Sequence, residues 1–331
     1  QKRKQYDPFV AKHLDFSAAL RSFMGYLEGT QKADHTISNY RLDVLSFQKF
    51  LASELPSGTS IRLETLNTAD VNRFHAHLRG LGLKTNTRRR KLLTVHRFLG
   101  FLAQRNKLPP ELGKKIPTPH KIERVPFAIS SNRLIEAIRS LPDGTILESR
   151  NRVLLWVMAE TGCLVSEVTR LRYDGWKLLS SDVAELQIEG KARRTVKVSP
   201  ELFAAVQELR EKKDSRPAST RRADEDSWLF LGFNKFGSMG KPITARGVEL
   251  LVKQLGPRLW HSGSEEDDQV LTPRTFRHSA VIRWFQEGLT RDEIQSRLGL
   301  KTPYAFKSYE PLLKGLAYRS NPGRTPHPLL K

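Results

Sequence analysis

The sequence predicts a mainly α-helical protein of two domains, a helical domain followed by a mixed α/β domain with a small antiparallel sheet. The length of 331 residues is typical of about two domains. Apolar residues recur every three or four positions through residues 16–107, as they do on the buried faces of helices. Residues 108–125 lose that period and are rich in Pro and Lys, which predicts a basic linker.

The first domain, residues 16–107, is predicted to contain four helices behind a short N-terminal extension of residues 1–15. The first runs from Phe16 to Leu27, and Thr36 is the predicted cap of the second. Asn67 or Thr68 is the predicted cap of the third, and the fourth begins near Thr87. The apolar faces predict the core of this domain; among their residues are Phe16, Phe23, Val44, Phe47, Phe74, Val95 and Leu99.

The second domain, residues 126–331, combines helices with one predicted hairpin. Helices are predicted at residues 132–141, 150–160, 165–171, 202–212 and 244–255. The stretch ELQIE alternates into a turn at residues 190–194, and TVKVS alternates out of it. Residues 213–226 read as a charged loop, and an acidic insert, SGSEEDDQ, precedes Thr272.

The last predicted helices carry polar residues at helical spacings. Arg274 and Arg277 are one helical turn apart and share a face. Gly288 ends their helix, and Thr290 with Glu293 forms a capping box for the next one. Thr302 and Pro303 then predict the start of a short helix that carries Tyr309.

The charge of the chain predicts a nucleic-acid partner. Lys and Arg number 56 against 35 Asp and Glu, a formal net charge of +21. Such an excess is the footprint of a nucleic-acid binder, although composition does not separate DNA from RNA. The single cysteine, Cys163, excludes an internal disulfide and a Cys-rich zinc site. We expect neither a metal nor a cofactor.

Five of these cations lie within eight residues, at the start of the fourth predicted helix: Lys84, Arg88, Arg89, Arg90 and Lys91. A helix N-terminus adds its own positive potential, so we expect this cluster to contact phosphates rather than to be only a solvated face. The basic linker is suited either to lying along a phosphate backbone or to serving as a plain tether.

The chain shows no feature of a secreted or membrane protein. The basic N-terminus is followed by no apolar h-region, and the longest apolar run, Val153 to Ala159, is too short for a membrane span. We therefore expect a soluble cytoplasmic protein, associated with the nucleoid if it is bacterial.

Several motifs, taken together and in order, resemble those of the tyrosine recombinases, the phage integrase and Xer-like family. TISNYRLDVLSFQKFL and TNTRRRKLLTVHRFLGFL resemble the family's helical, SAM-like core-binding domain. TGCLVSEVTRLRYD resembles its first arginine box, IEGKARRTVKVS its lysine hairpin, and PRTFRH with LGLKTPYAFKSY its second box. The resemblance covers most of the chain.

The family resemblance implies strand exchange on duplex DNA through a 3′-phosphotyrosyl intermediate, without an external cofactor. Tyr309 lies at the nucleophile position, Arg277 at the second arginine and Lys191 at the hairpin lysine, with Arg193 and Arg194 as neighbouring DNA contacts. Arginine suits this chemistry because guanidinium groups stabilise the charge that gathers on the phosphate oxygens. A lysine can protonate the leaving 5′ oxygen.

The chain also departs from the family pattern. Leu164 replaces the first arginine, Arg274 the histidine of the second box, and Leu300 the later histidine or tryptophan. Glu167, the acid of the first box, is kept, and His278 matches the trailing histidine. Losing one guanidinium from a phosphoryl-transfer site costs several decades of rate, on the order of 10²–10³ or more.

These departures leave the activity open. One hypothesis is a recombinase whose strand cleavage is impaired or depends on a partner subunit. The other is a non-catalytic, DNA-binding accessory or regulator of the same family. A third hypothesis, a basic RNA-binding protein, lies outside the family. Family members assemble on DNA, so we expect self-association or assembly with other recombinase subunits. Prolines at 322, 326 and 328 put an exchanged C-terminal helix in doubt.

Overall fold

The computed structural model describes residues 15–30, 32–105, 108–113, 118–122, 127–190, 193–216, 227–259 and 270–313. The chain divides into two units, Gln1–Arg124 and Val125–Lys331. Lys191 and the expectations for the N-terminal extension, most of the 213–226 loop, the acidic insert and the C-terminal prolines fall outside the described residues. The described part is mostly helical with small antiparallel sheets, as the sequence predicted.

The described residues of the first unit form four α-helices: α1 (Phe16–Gly29), α2 (Asp34–Ser53), α3 (Thr68–Gly80) and α4 (Thr85–Ala103). Their apolar faces meet in one core, whose central side chains are fully buried. Phenylalanine rings fill much of it, and the ring centroids of Phe23 and Phe98 lie 5.4 Å apart. The predicted periodicity therefore identified the core of this unit.

The predicted Thr36 cap is wrong, the start at Phe16 and the Asn67 cap are confirmed, and the fourth helix begins two residues before Thr87, near which its start was predicted. Helix α2 begins at Asp34 after Ala33, so Thr36 lies inside its first turn. Helix α4 begins at Thr85 after Lys84, which has no side-chain cap. Asn67 caps α3 as predicted, because its side chain accepts a hydrogen bond from the Ala69 backbone at 2.8 Å.

Part of the segment predicted as a linker packs with the first unit. Leu108 and Leu112 are buried in the helical core, the latter on a short 3₁₀ helix, Pro110–Gly113. Further along, Asn86 exchanges two hydrogen bonds with the backbone of Ile122, at 2.8 and 2.9 Å. The sequence did not predict these contacts, because isolated leucines in a Pro-rich segment show no apolar periodicity.

The second unit contains the remaining helices and strands. Its helices are α5 (Ser131–Arg139), α6 (Ile146–Thr161), α7 (Val165–Val168), α8 (Pro200–Asp214), α9 (Ala245–Leu259), α10 (Pro273–Gln286), α11 (Arg291–Leu298) and α12 (Pro303–Phe306). Its strands are β1 (Trp176–Ser180), β2 (Val183–Ile188), β3 (Arg194–Val198), β4 (Leu231–Asn234) and β5 (Gly237–Pro242).

The predicted hairpin is confirmed as β2 and β3, which pair antiparallel with Ile188 opposite Arg194. The sequence did not predict β1, which completes a sheet of order β1-β2-β3, or the separate β4–β5 hairpin. The sequence did not predict strand β1 because only its first residue, Trp176, is buried, so apolar and polar residues do not alternate along it.

The core of the second unit is organised around α6. Residues 153–161 of this helix are buried on all sides, which explains its continuous apolar sequence. Helix α10 packs beside it through the fully buried Phe276 and Trp284. None of the helices in the described parts of the chain is long and apolar enough to cross a membrane.

The burial of Leu112 makes a prediction for stability. Replacing Leu112, 1% exposed, with alanine should lower the unfolding free energy by about 2–5 kcal/mol, because it removes buried methyl groups and leaves a cavity. Urea unfolding followed by circular dichroism measures the change. Leu81→Ala is the control, since Leu81 is 59% exposed. Equal midpoints for the two variants would show that this segment is only a tether.

Candidate active site

The guanidinium of Arg277 is the centre of the candidate site. It projects from α10, which begins with Thr272 as its N-cap and Pro273 at its first turn. Arg277 is 5% exposed. Its Nη1 donates to the Gly162 carbonyl at 2.8 Å, its Nη2 to the Leu298 carbonyl at 2.7 Å, and its Nε to the Tyr309 hydroxyl at 3.0 Å. One side chain therefore joins three segments that are distant in the sequence.

Both carbonyl partners of Arg277 lie at helix C-termini. Gly162 caps α6 in the left-handed conformation, with φ 60°. Gly299 caps α11 in the same way, with φ 65°, directly after Leu298. The last carbonyls of a helix lack partners within the helix and carry partial negative charge. Two such ends satisfy and stabilise a buried cation that would otherwise be costly.

Tyr309 is positioned by this guanidinium and by its own packing. It lies on a 3₁₀ turn, Lys307–Tyr309, rather than on the short helix that the sequence predicted. The side chain is 8% exposed, and its ring packs against Phe306 and, edge-on, against His278. The Nε of Arg277 donates to the phenol oxygen, so a positive charge touches the atom expected to be the nucleophile.

The first-box turn is packed closely against α10. A Cβ added at Gly162 would lie 3.3 Å from the Ala280 Cβ and 3.5 Å from Trp284. Glycine is needed there for this contact and for the positive φ. Two residues later, Leu164 precedes α7, and its side chain is 44% exposed. The family's first-arginine position thus holds an exposed leucine beside a turn that is held in place.

Glu167 and Arg194 form a buried ion pair that braces the same turn. The guanidinium of Arg194 makes two hydrogen bonds to the carboxylate, at 2.6 and 2.9 Å, and its Nε donates to the Arg297 carbonyl at 2.6 Å. Glu167 also accepts from the Leu164 backbone at 2.8 Å. Burial alone would raise the pKa of Glu167, but these hydrogen bonds and the charges of Arg194 and Arg277 outweigh it and lower the pKa.

This geometry corrects the expectation that Arg194 contacts DNA. The residue is 8% exposed, and its donors are directed into the protein. It ties strand β3 to the first box and to the end of α11, which makes it a structural residue. Its neighbour Arg193 is exposed, with a surface ion pair to Glu189 at 3.1 Å, and remains a candidate for DNA contact.

Arg274 and His278 lie on either side of Arg277 in α10. Arg274 is exposed. The Nδ1 of His278 lies 2.9 Å from the Phe127 carbonyl; a carbonyl only accepts, so this nitrogen carries the proton. Burial lowers the pKa of His278, and the charges of Arg274 and Arg277 lower it further against the opposing effect of the Phe127 hydrogen bond. Sequence reasoning underrated His278, whose ring also contacts Tyr309.

The remaining expected site residues are not all brought together. Leu300 is partly buried against the core, and its backbone N–H bonds the Gln295 carbonyl at 3.0 Å. It packs as an apolar residue where the family pattern has a histidine or tryptophan. Lys191 lies outside the described residues. Within the described ranges, no three His, Cys, Asp or Glu residues are grouped so as to hold a metal ion.

The cation cluster of α4 is only partly available to a ligand. Arg90 and Lys91 both pair with the buried carboxylate of Asp43. Arg89 donates to the Thr118 hydroxyl and the Pro119 carbonyl, at 2.9 and 3.1 Å. Arg90 and Lys84 are nevertheless exposed. The cluster is therefore both an internal brace and a positive surface.

Comparison with known families agrees with this geometry. Residues 20–106 match the model of the phage integrase N-terminal SAM-like domain, and residues 130–312 match that of the phage integrase family. The chain belongs to the phage integrase family, the tyrosine recombinases, which confirms the resemblance of its motifs. Its class of function is site-specific recombination by a tyrosine recombinase or integrase.

Curated relatives are similar along two thirds or more of their length. The chain is 25% identical over 315 residues to the tyrosine recombinase XerC of Pelobacter propionicus, covering 93% of this chain and 97% of the relative. It is 24% identical over 283 residues to XerC of Pseudomonas aeruginosa, covering 85% and 86%. It is 29% identical over 211 residues to XerD of Lacticaseibacillus casei, covering 63% and 67%.

Solved structures share the fold at low identity. The XerH site-specific recombinase bound to its difH substrate before cleavage matches with a TM-score of 0.65 and 17% identity, covering 91% of this chain and 84% of that one. A lambda integrase (75–356) dimer bound to a COC′ core site matches with a TM-score of 0.61 and 12% identity, covering 87% and 96%.

The buried ion pair makes a prediction that separates Arg194 from its neighbour. Arg194→Ala leaves the carboxylate of Glu167, which is 14% exposed, without its cation, so the unfolding free energy should fall by up to about 3–5 kcal/mol. Arg193→Ala is the matched control and should cost at most about 1 kcal/mol, because both partners of its ion pair are exposed. Urea unfolding measures both. A similar small loss in the two variants would contradict the structural role of Arg194.

His278 makes a prediction about pH. Its pKa in the folded chain is below the ordinary 6.5, so at a pH just under that value the unfolded chain binds a proton there that the folded chain does not. The unfolding free energy therefore falls as the pH drops below about 6.5. In His278→Asn, the stability lost between neutral and mildly acidic pH should be smaller than in the wild type. An unchanged loss in urea unfolding would contradict this assignment.

Proposed function

We propose that this chain is a DNA-binding recombinase that breaks and rejoins duplex DNA through Tyr309, with cleavage that is weak alone or depends on a partner subunit. The observation that carries the proposal is the hydrogen bond of 3.0 Å from the Arg277 Nε to the Tyr309 hydroxyl. This hydrogen bond connects the residue at the nucleophile position of the family motif with the residue at its phosphate-binding position.

The proposed reaction uses the chain's own side chains. The Tyr309 oxygen attacks the scissile phosphorus, loses its proton to solvent and forms the 3′-phosphotyrosyl bond, while the bond from phosphorus to the 5′ oxygen breaks. Arg277 holds a non-bridging phosphate oxygen: three of the five guanidinium N–H groups are used by Gly162, Leu298 and Tyr309, which leaves two for phosphate. Lys191 donates the proton that the 5′ oxygen gains. A second 5′-hydroxyl reverses the step.

Two features support DNA as the substrate. The net charge of +21 favours a polyanion. The exposed cations available to phosphates are Lys84, Arg90, Arg193 and Arg274. Arg88 and Lys91, on the same helix as Arg90, are partly exposed. The XerH and lambda integrase relatives were solved on DNA, as a complex and a dimer respectively. By analogy, we propose that this chain acts as a multimer on duplex DNA, with itself or with another recombinase.

Leu164 is the reason for proposing weak or dependent cleavage. An exposed leucine at the first-arginine position supplies no donor to the phosphate, and a missing donor of this kind costs about 10²–10³ in rate. The alternative is a non-catalytic accessory subunit, and the same exposed leucine favours it. The two functions differ only in whether Tyr309 ever becomes covalently attached to DNA.

A nicked suicide substrate tests the proposal. The wild-type chain, alone or mixed with a candidate partner recombinase, should form a covalent adduct that survives denaturing electrophoresis. Tyr309→Phe removes the nucleophile and keeps the ring, so the adduct should disappear while DNA affinity stays within a few-fold of wild type. Full recombination by a complete system that contains Tyr309→Phe would instead identify an accessory subunit.

Restoring the missing arginine gives a second prediction. Leu164→Arg should raise the rate of adduct formation, by as much as about 10²-fold, if the rest of the site is intact. Leu179→Arg is the matched control, since Leu179 is an exposed leucine of β1 and the added charge is the same. An equal effect of both changes would attribute the gain to tighter DNA binding in general. Arg274→His beside Leu164→Arg tests whether the two positions act on one phosphate, since such effects need not add.

A further inference from the structure

The turn between β4 and β5 presents a phenylalanine to solvent. Phe236 is 85% exposed, and with Lys235 it connects Asn234 to Gly237, which face each other across the hairpin. The commonest β-turns favour Asn at the first position and Gly at the fourth, and the chain already supplies both, with Gly237 at φ 107°. The turn therefore does not require an aromatic residue, and folding gains little from a ring left in water.

The ring stands on a rigid support. The backbone N–H of Phe236 donates to the Asn234 Oδ1 at 2.8 Å, which fixes the turn. Strand β4 begins in the core at the buried Leu231. Farther along the strand, the Arg150 guanidinium lies 5.4 Å from the Phe233 ring centroid. A turn whose backbone is held in this way loses little conformational freedom when it binds.

The segment of sequence that carries the ring is positively charged, and one of its lysines lies beside the ring. Residues 227–248 contain three cations, Lys235, Lys241 and Arg246, and no Asp or Glu. The Lys235 Nζ lies 4.9 Å from the Phe236 ring centroid. Arg246, in the first turn of α9, is exposed and pairs with Glu249 at 3.1 Å. Cations beside an exposed aromatic ring suit a polyanion that has flat apolar faces, which is the chemistry of DNA.

We propose that the β4–β5 turn is a DNA contact in which Lys235 binds a phosphate and the Phe236 ring packs on a sugar or on the face of an unstacked base. Apolar side chains used in this way hold a distorted step of the duplex. The inference rests on the DNA binding in the proposed function, but it does not require that the chain cleaves DNA.

Binding of the full-length chain to a fluorescein-labelled duplex, intact or with a one-nucleotide gap, tests the contact. Phe236→Ala should weaken binding by about 5- to 100-fold, more for the gapped duplex, without changing the salt dependence. Lys235→Ala should reduce the slope of log affinity against log salt by about 0.9. Leu179→Ala, another exposed apolar residue, is the control and should change neither.

Each other outcome has one meaning. Wild-type affinity of Phe236→Ala for both duplexes overturns the contact. A variant that binds DNA normally but self-associates less in sedimentation identifies the ring as a protein interface, which also overturns it. If the wild-type chain binds no duplex, the inference and the proposed function fail together. If it binds DNA but forms no covalent adduct, only the proposed cleavage is contradicted. The affinities of the hairpin variants can still be compared with that of the wild type.

Discussion

The buried guanidinium of Arg277 is the interaction on which the site depends. A buried cation is costly unless its donors are satisfied, and here the acceptors are two helix C-termini and one phenol. Helices α6 and α11 both end in left-handed glycines next to these acceptors. The requirement to satisfy one side chain thus fixes where the first box, the end of α11 and Tyr309 lie relative to α10. The same charge is the one that we propose to bind a phosphate.

A second ion pair extends this arrangement to the hairpin. Arg194 on β3 bonds Glu167, which in turn accepts from the Leu164 backbone. It also bonds the Arg297 carbonyl, next to the Leu298 carbonyl that Arg277 uses. The position of Leu164 is therefore fixed by the protein even though its side chain supplies no charge. The site keeps this brace and lacks the arginine. Its geometry is suited to receiving a guanidinium group, either by substitution of Leu164 or from a partner subunit.

The sequence predicted most of the fold because the governing signals are local. Apolar periodicity identified the helices of the first unit, and alternation identified β2 and β3. Strand β1 was missed because only its first residue is buried, and Leu112 because a single buried leucine in a Pro-rich segment carries no pattern. In the site, motif spacing singled out Arg277 and Tyr309, and in the structure a hydrogen bond joins their side chains. The inward direction of Arg194 was not predictable, since it depends on Glu167 and on a carbonyl about a hundred residues away.

Hydrogen–deuterium exchange of Arg277→Ala tests the central role of this guanidinium most directly. Loss of the side chain should speed exchange together in three separate segments, residues 161–169, 294–300 and 307–313, and leave residues 32–105 unchanged. Arg274→Ala, an exposed arginine on the same helix, should leave all of these segments as in the wild type. Faster exchange confined to α10, or no difference between the two variants, would contradict the conclusion that Arg277 holds the site together.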